Sequence, residues 1–359
     1  MTTHSQTTNE VIWPQLGIRP LLLLSLLLVL VIIGALSLAL GSVSIPLKEV
    51  VTILLGGEPT KATWATIVMN FRLPKAFTAV LAGSALAVSG LQMQTLFRNP
   101  LAGPFVLGIN SGASLGVALV VLSAGTVTSG FLAALGTLGN FGVIVAASLG
   151  SALVLFAVMA VAHRVNNTTL LILGLLFGYA TSAVVSILLY FAIAERIQAY
   201  IAWTFGSFAG VTWGQLQMLA PAILLALVTA WFSTKPLNAL LLGEAYAQSL
   251  GLNVRRSRFL ILMSASILAG TTTAFCGPIA FIGVAVPHLC RSLFNSSDHR
   301  VLVPATIIMG GIVALTADLI AQLPGSQSTL PLNAVTALIG APVVAWVILR
   351  RRNLKATFG

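Results

Sequence analysis

Seven carboxylates are the whole acidic complement of this 359-residue chain, and only Asp318 falls well inside an apolar stretch. Glu10, Glu49, Glu58, Glu195, Glu244 and Asp298 all sit in or beside polar breaks. A carboxylate within an apolar helix is expensive to keep, so Asp318 is a functional candidate by default. Ion-coupled carriage usually draws on more than one such group, so a structural hydrogen bond to a neighbouring helix is the favoured reading. His288, in VAVPHLCR, follows Pro287 near a helix end and reads as a capping or packing residue. The sequence holds no paired carboxylates, no nucleophile constellation and no metal-ligand spacing among its four histidines. The phosphate loop G-x-x-x-x-G-K-S/T is also missing, so the chain is not its own ATPase by that route. Cys276 and Cys290 lie in apolar surroundings and imply no disulfide framework. No cofactor and no metal is expected.

The other stretch with chemical content is RNPLAGPFVLGINSGASLG, residues 98–116. Asn99, Asn110, Ser111 and Ser114 are polar, and Pro100 and Pro104 break the helical ladder in front of Gly108, Gly112 and Gly116. Those glycines recur every four residues and share one helix face. A face without side chains lets a neighbouring backbone approach closely, which in lipid replaces the missing hydrophobic drive. Broken backbone at membrane depth is tolerated where it is buried in protein or lines a wet cavity. A tightly packed helix end and a polar translocation wall both satisfy that rule, and both can hold.

Membrane helices must position these side chains. The chain is 58% hydrophobic and 7% charged, with a mean hydropathy of +1.03; a soluble domain carries roughly 25% charge. At about 20 apolar residues per crossing, the length accommodates about ten spans. Hydropathy and polar breaks place them at 21–40, 65–95, 105–123, 131–160, 168–192, 213–232, 257–275, 280–293, 303–323 and 331–349, with an interfacial segment at 194–204. The roughly ten-residue alternating segments of a membrane barrel do not occur. The polar first twenty residues, followed by an apolar block of full span length, do not look like a cleavable leader.

An even number of spans puts both termini on one side. Thirteen of the eighteen Lys and Arg then fall on that side, so both termini are expected in the cytoplasm. The formal charge of +11 is mostly this bias, and nucleic acid is not an expected partner. LAGSALAVSG at 81–90 and LAGTTTAFCG at 268–277 share Leu, Ala, Gly, Ala and Gly at identical spacing. They lie in the second and seventh spans, which run in opposite directions, and suggest a weak inverted repeat of the kind transporters use. The expected fold is an all-α polytopic membrane protein in contact with lipid.

RLPKAFTAVLAGSALAVSGLQMQTLFRNPLAGPFVLGINSGASLG resembles the FecCD-type permeases of bacterial ABC importers, which take up ferric siderophores, haem or vitamin B12. The likeness continues through PLNALLLGEAYAQSLGLNV, GPIAFIGVAVPHLCRSLFNSSDHRVLVP, Ala317–Asp318 and LPLNAVTALIGAP, covering nearly the whole chain beyond residue 40. It implies a ten-helix permease domain at 21–350, similar to vitamin B12 permeases (a type II importer), in the bacterial cytoplasmic membrane. The same resemblance implies cytoplasmic tails at 1–20 and 351–359 and a coupling loop at 235–256. The partners it implies are a second permease subunit, two ABC ATPase subunits and an extracytoplasmic substrate-binding protein. The chain would be a transporter subunit and not itself an enzyme.

Three surfaces carry over from the resemblance. In the segment 240–254, Leu242, Gly243, Glu244, Ala247, Leu250 and Gly251 would meet the ATPase; a plain solvated loop is the alternative, and would have less need of its leucines. Arg72 and Lys75 in RLPK would meet acidic residues of the binding protein, charges at a rim acting mainly to steer and orient. As bare cations near a helix end they would equally be snorkelling anchors. Gln322 stands where the family usually has a third docking Arg, and Thr329 where it has Glu, so this edge looks electrostatically weak and a different second permease subunit is favoured. In RVNNTTLLILG, Asn167 and Thr168 would form the cytoplasmic gate; N-capping of the fifth span is equally good chemistry for them. RNPLA, where a variant of the family carries Glu, leans towards iron chelates over vitamin B12.

Overall fold

In the computed structural model, which describes residues 20–122, 139–162, 164–323 and 329–357, every regular element among the described residues is helical. The segment 1–19 of the expected tail and 131–138 of the fourth expected span lie outside the described residues. Among the described residues seven helices are long and apolar enough to cross a membrane, and three shorter apolar helices bring the number to the expected ten. In chain order the elements are α1 (Pro20–Ala39), α2 (Leu47–Leu54), α3 (Ala62–Thr66), α4 (Leu73–Leu96), α5 (Ile109–Val121) and α6 (Asn140–Ala162). There follow α7 (Asn167–Phe191), α8 (Ala194–Thr204), α9 (Trp213–Phe232), α10 (Thr234–Leu241) and α11 (Glu244–Ser249). The chain closes with α12 (Val254–Cys276), α13 (Ile282–Phe294), α14 (His299–Ala321) and α15 (Leu332–Thr357). Helix α15 runs on through the basic segment expected as a tail from 351.

Local chemistry sets the helix ends. Asn166, Asn253 and Asp298 each accept a backbone N–H in the first turn of α7, α12 and α14. Thr212 and Gln215 form a reciprocal capping box on α9. The expected span 65–95 is not one regular helix: residues Ile67–Arg72 form a wide π turn between α3 and α4. Pro74 explains it, since its ring removes an N–H and crowds the carbonyl four residues back. The expected span 105–123 starts late, at Ile109, because Pro104 and Gly108, whose φ is +75°, hold 97–108 in turns.

Helix α4 is the buried axis. Its sequence is rich in Ala, Gly and Ser, and neighbouring backbones press on those small positions from several sides. A Cβ on Gly83 would collide with the Gly310 carbonyl of α14, and a Cβ on Gly310 with that of Gly83. A Cβ on Gly90 would likewise collide with the Gly283 carbonyl of α13. Polar side chains add ties: Ser89 donates to the Ala265 carbonyl at 2.8 Å and Gln92 to Ser264 at 2.7 Å, both on α12. Backbone proximity plus interhelical hydrogen bonds is how helices associate in lipid. Within the suspected repeat, Gly83 and Gly270 both face neighbouring helices, but Gly90 lies mid-helix whereas Gly277, with φ +74°, ends α12.

Candidate functional site

The opposite ends of the bundle carry different chemistry. At the end reached by α1, the wide turn aims Arg72 inwards. Its guanidinium donates to the Leu38 and Ala39 carbonyls at 2.8 and 2.9 Å and to that of Val43. Those are carbonyls at and just beyond the end of α1, which have no partner inside the helix. Arg72 is only 6% exposed, so as placed it is a cap for α1 more than a free rim charge.

Lys75 lies one turn further along α4, and its Nζ is 3.1 Å from Oδ2 of Asp318 on α14, both side chains 9% exposed. Gln322 donates to the same carboxylate oxygen at 2.6 Å. Asp318 therefore sits in a buried, hydrogen-bonded ion pair that ties α4 to α14. The three side chains expected to dock a partner are thus engaged within the chain, yet they border two crevices of about 280 and 320 Å³. Thr329 lines the larger one.

At the other end, α9 runs into α10 and α11. Leu237, Leu240 and Ala247 belong to one buried cluster, whereas Leu241, Leu242, Tyr246 and Leu250 are exposed. Gly243 (φ +107°) and Gly251 (φ +81°) make the turns on either side of α11. A solvated loop would not hold four large apolar side chains outward on a seated helix; such a patch marks an interaction surface. Beside it, a cavity of about 430 Å³ is lined by Glu244, Gln248, Arg255 and Arg258 among others. Arg258 reaches from it to the Val165 carbonyl at 3.2 Å, in the turn before α7.

The capping alternative at that turn falls to Asn166, whose Oδ1 accepts from Thr169 N–H at 2.8 Å. Thr168 is exposed in the first turn of α7, and the side chain of Asn167 lies outside the described residues. Asn99 closes a small turn onto Leu101 N–H at 2.9 Å, and the Pro100 carbonyl accepts from His288 Nε2 at 2.7 Å. His288 is thus a packing group that closes the RNPLA turns. Pro104 packs on Gly283, and Gly108 faces α7 near Gly174. Gly112 and Gly116 abut Gly150 and Ala146 of α6 backbone to backbone, while the Asn110 side-chain oxygen is buried without a partner.

One surface escaped the sequence reading. Helix α7 packs through Leu170, Gly174, Thr181 and Val185, and its other side is open. Thr168, Tyr179, Ser182, Ser186 and Tyr190 are all exposed and, at 100° per residue, share an arc with Ile172 and Leu175, turned away from the packed side. Tyr190, near the helix end, suits a membrane interface. Tyr179 does not: it is 65% exposed at the middle of a 25-residue span, where lipid offers its hydroxyl nothing. Ser186 is satisfied within the helix, donating to the Ser182 carbonyl at 2.8 Å, so Tyr179 is the group that calls for a partner protein or water. Averaged hydropathy hid it; plotting the span on a helical wheel would have shown it.

A sequence profile described as the FecCD transport family matches residues 27–350. The vitamin B12 import system permease protein BtuC of Klebsiella pneumoniae is 38% identical over 298 residues, covering 83% of this chain and 86% of that protein. The hemin transport system permease protein HmuU of Yersinia pestis is 34% identical over 343 residues, covering 94% and 98%. Among solved structures, an inward-facing metal-chelate type ABC transporter superposes with a TM-score of 0.80 at 28% identity, covering 92% of this chain and 99% of that one.

Proposed function

This chain belongs to the FecCD transport family as a permease subunit of an ABC importer of the metal-chelate, vitamin B12 or haem type, and from that premise we propose that it forms the membrane path for a ferric siderophore. The observation that supports the path is Tyr179 on α7, 65% exposed at mid-membrane, where lipid offers its hydroxyl no partner. A second permease subunit across that face would enclose a conduit between the two copies. Short neutral polar groups suit it, because cargo must pass without being gripped. RNPLA at 98–102 favours an iron chelate as cargo. The names of the relatives keep haem and vitamin B12 as the alternatives.

The exposed leucines of α10–α11 form the seat for the ATPase, in the cytoplasm together with both termini, and Asn167 and Thr168 stand at the gate above it. The chain itself hydrolyses nothing. The binding protein docks at the opposite end, over the crevices around Arg72, Lys75 and Gln322. Because those three side chains are already engaged within the chain, the docking charge it presents is small, which supports pairing with a different and more basic permease subunit.

Cells stripped of their own importers and given this permease, its ATPase and its binding protein are expected to accumulate ferric siderophore, with haem and cyanocobalamin excluded. Accumulation of either of the latter in its place would reassign the cargo.

A further inference from the structure

Asn238 lies in the motif PLNA, and Asp298 and His299 lie in SSDHR. They are sixty residues apart in sequence, yet their side chains meet. Asn238 Nδ2 donates to Asp298 Oδ1 at 2.6 Å, while its Oδ1 accepts the His299 backbone N–H at 2.9 Å. The same oxygen is 2.7 Å from His299 Nδ1, which fixes that ring nitrogen as a donor. The other ring nitrogen lies 2.8 Å from Thr95 Oγ1 in the last turn of α4. Asp298 at the same time caps α14 through Arg300 N–H at 2.8 Å. His299 is 1% exposed and Asn238 and Asp298 are half-buried, and each of these groups has a partner in the network.

Networks satisfied in this way rigidify what they join. Here they join α10 to the adjacent ends of α4 and α14, the two helices that already meet backbone to backbone at Gly83 and Gly310. Helix α11 in turn is seated on α10 through Ala247.

Resting on the importer reading above, we propose that Asn238 is a positioning residue of the transport cycle. Through Asp298 and His299 it makes the α10–α11 segment one rigid body with the inner ends of α4 and α14, so that displacement of the segment by the ATPase is delivered to that helix pair. The segment is then a lever fixed to the central axis of the protomer.

The test uses the full permease–ATPase complex in lipid nanodiscs, with spin labels on Ala245→Cys and Ser297→Cys, both exposed positions; the native cysteines are buried. Distances are read without nucleotide and after trapping with ATP and vanadate. The wild-type background should give one narrow distribution that is the same in both states. Asn238→Ala should lose that narrow distribution on trapping while retaining ATP hydrolysis, which a merely structural defect would remove. Asn238→Asp, which sets a carboxylate oxygen against Asp298 Oδ1 in place of a donor, should lose it as Asn238→Ala does. A wild-type distance that shifts on trapping, or an Asn238→Ala distribution as invariant as the wild type, overturns the proposal. A chain that recruits no ATPase fails earlier, at pull-down, and removes the importer reading along with the lever.

Discussion

Leucine in place of Gly112 is expected to abolish the folded permease. The Cβ alone would collide with the Gly150 carbonyl and the Val154 side chain of α6. Carbonyl and helix backbone cannot swing aside, so α5 and α6 would have to separate. That separation would forfeit the packing on which helix association in lipid depends. Even Gly112→Ala is expected to destabilise, by about 1–3 kcal/mol, as overpacking typically does. Gly34→Leu is the control, because nothing lies within 4 Å of a Cβ there. Size-exclusion of heated, solubilised protein reads the result: a monodisperse peak for Gly34→Leu, a reduced one for Gly112→Ala and none for Gly112→Leu. A Gly112→Leu protein as stable as wild type would show that the glycine face is not a close-packed seam.

Lys75→Ala is expected to be the most damaging single change on the other side of the bundle. It would leave the Asp318 carboxylate buried, with Gln322 its remaining side-chain donor. Removing one partner of a buried pair costs about 3–5 kcal/mol, whereas replacing both by apolar groups of similar size is often neutral or stabilising. The double variant Lys75→Met/Asp318→Leu should therefore recover the stability that Lys75→Ala loses, measured in the same heated size-exclusion assay. It should also retain uptake. That second expectation separates two roles for the intramembrane acid, since a carrier that moved protons or sodium on Asp318 would stop altogether in the double variant.

The sequence made the ten spans visible because each is a long apolar run bounded by polar breaks, and averaging over such runs is robust. It made Gly112 and Gly116 visible because a four-residue period of glycine has few explanations in lipid. Asp318 read correctly as a group held by a neighbouring helix, but its partner Lys75 did not, since a cation near a helix end looks the same whether it snorkels, docks or turns inward. What turns it inward is tertiary: α14 lies against α4 at Gly83 and Gly310. Arg72 was illegible for a related reason. Its capping role follows from the wide turn that Pro74 imposes and from where α1 happens to end, and no local pattern joins those two facts. The meeting of Asn238 with His299 was likewise hidden, because two short polar motifs separated by two spans carry no sign of mutual contact.

Cargo movement in sealed vesicles is the most direct check on the claim that this chain is a gated conduit driven by other subunits. With the permease, its ATPase and binding protein reconstituted together, ATP should drive ferric siderophore across against its gradient, and vanadate should stop it. With the permease alone, or under a proton gradient in place of ATP, none should accumulate. Uphill accumulation by the permease without its ATPase would contradict the account.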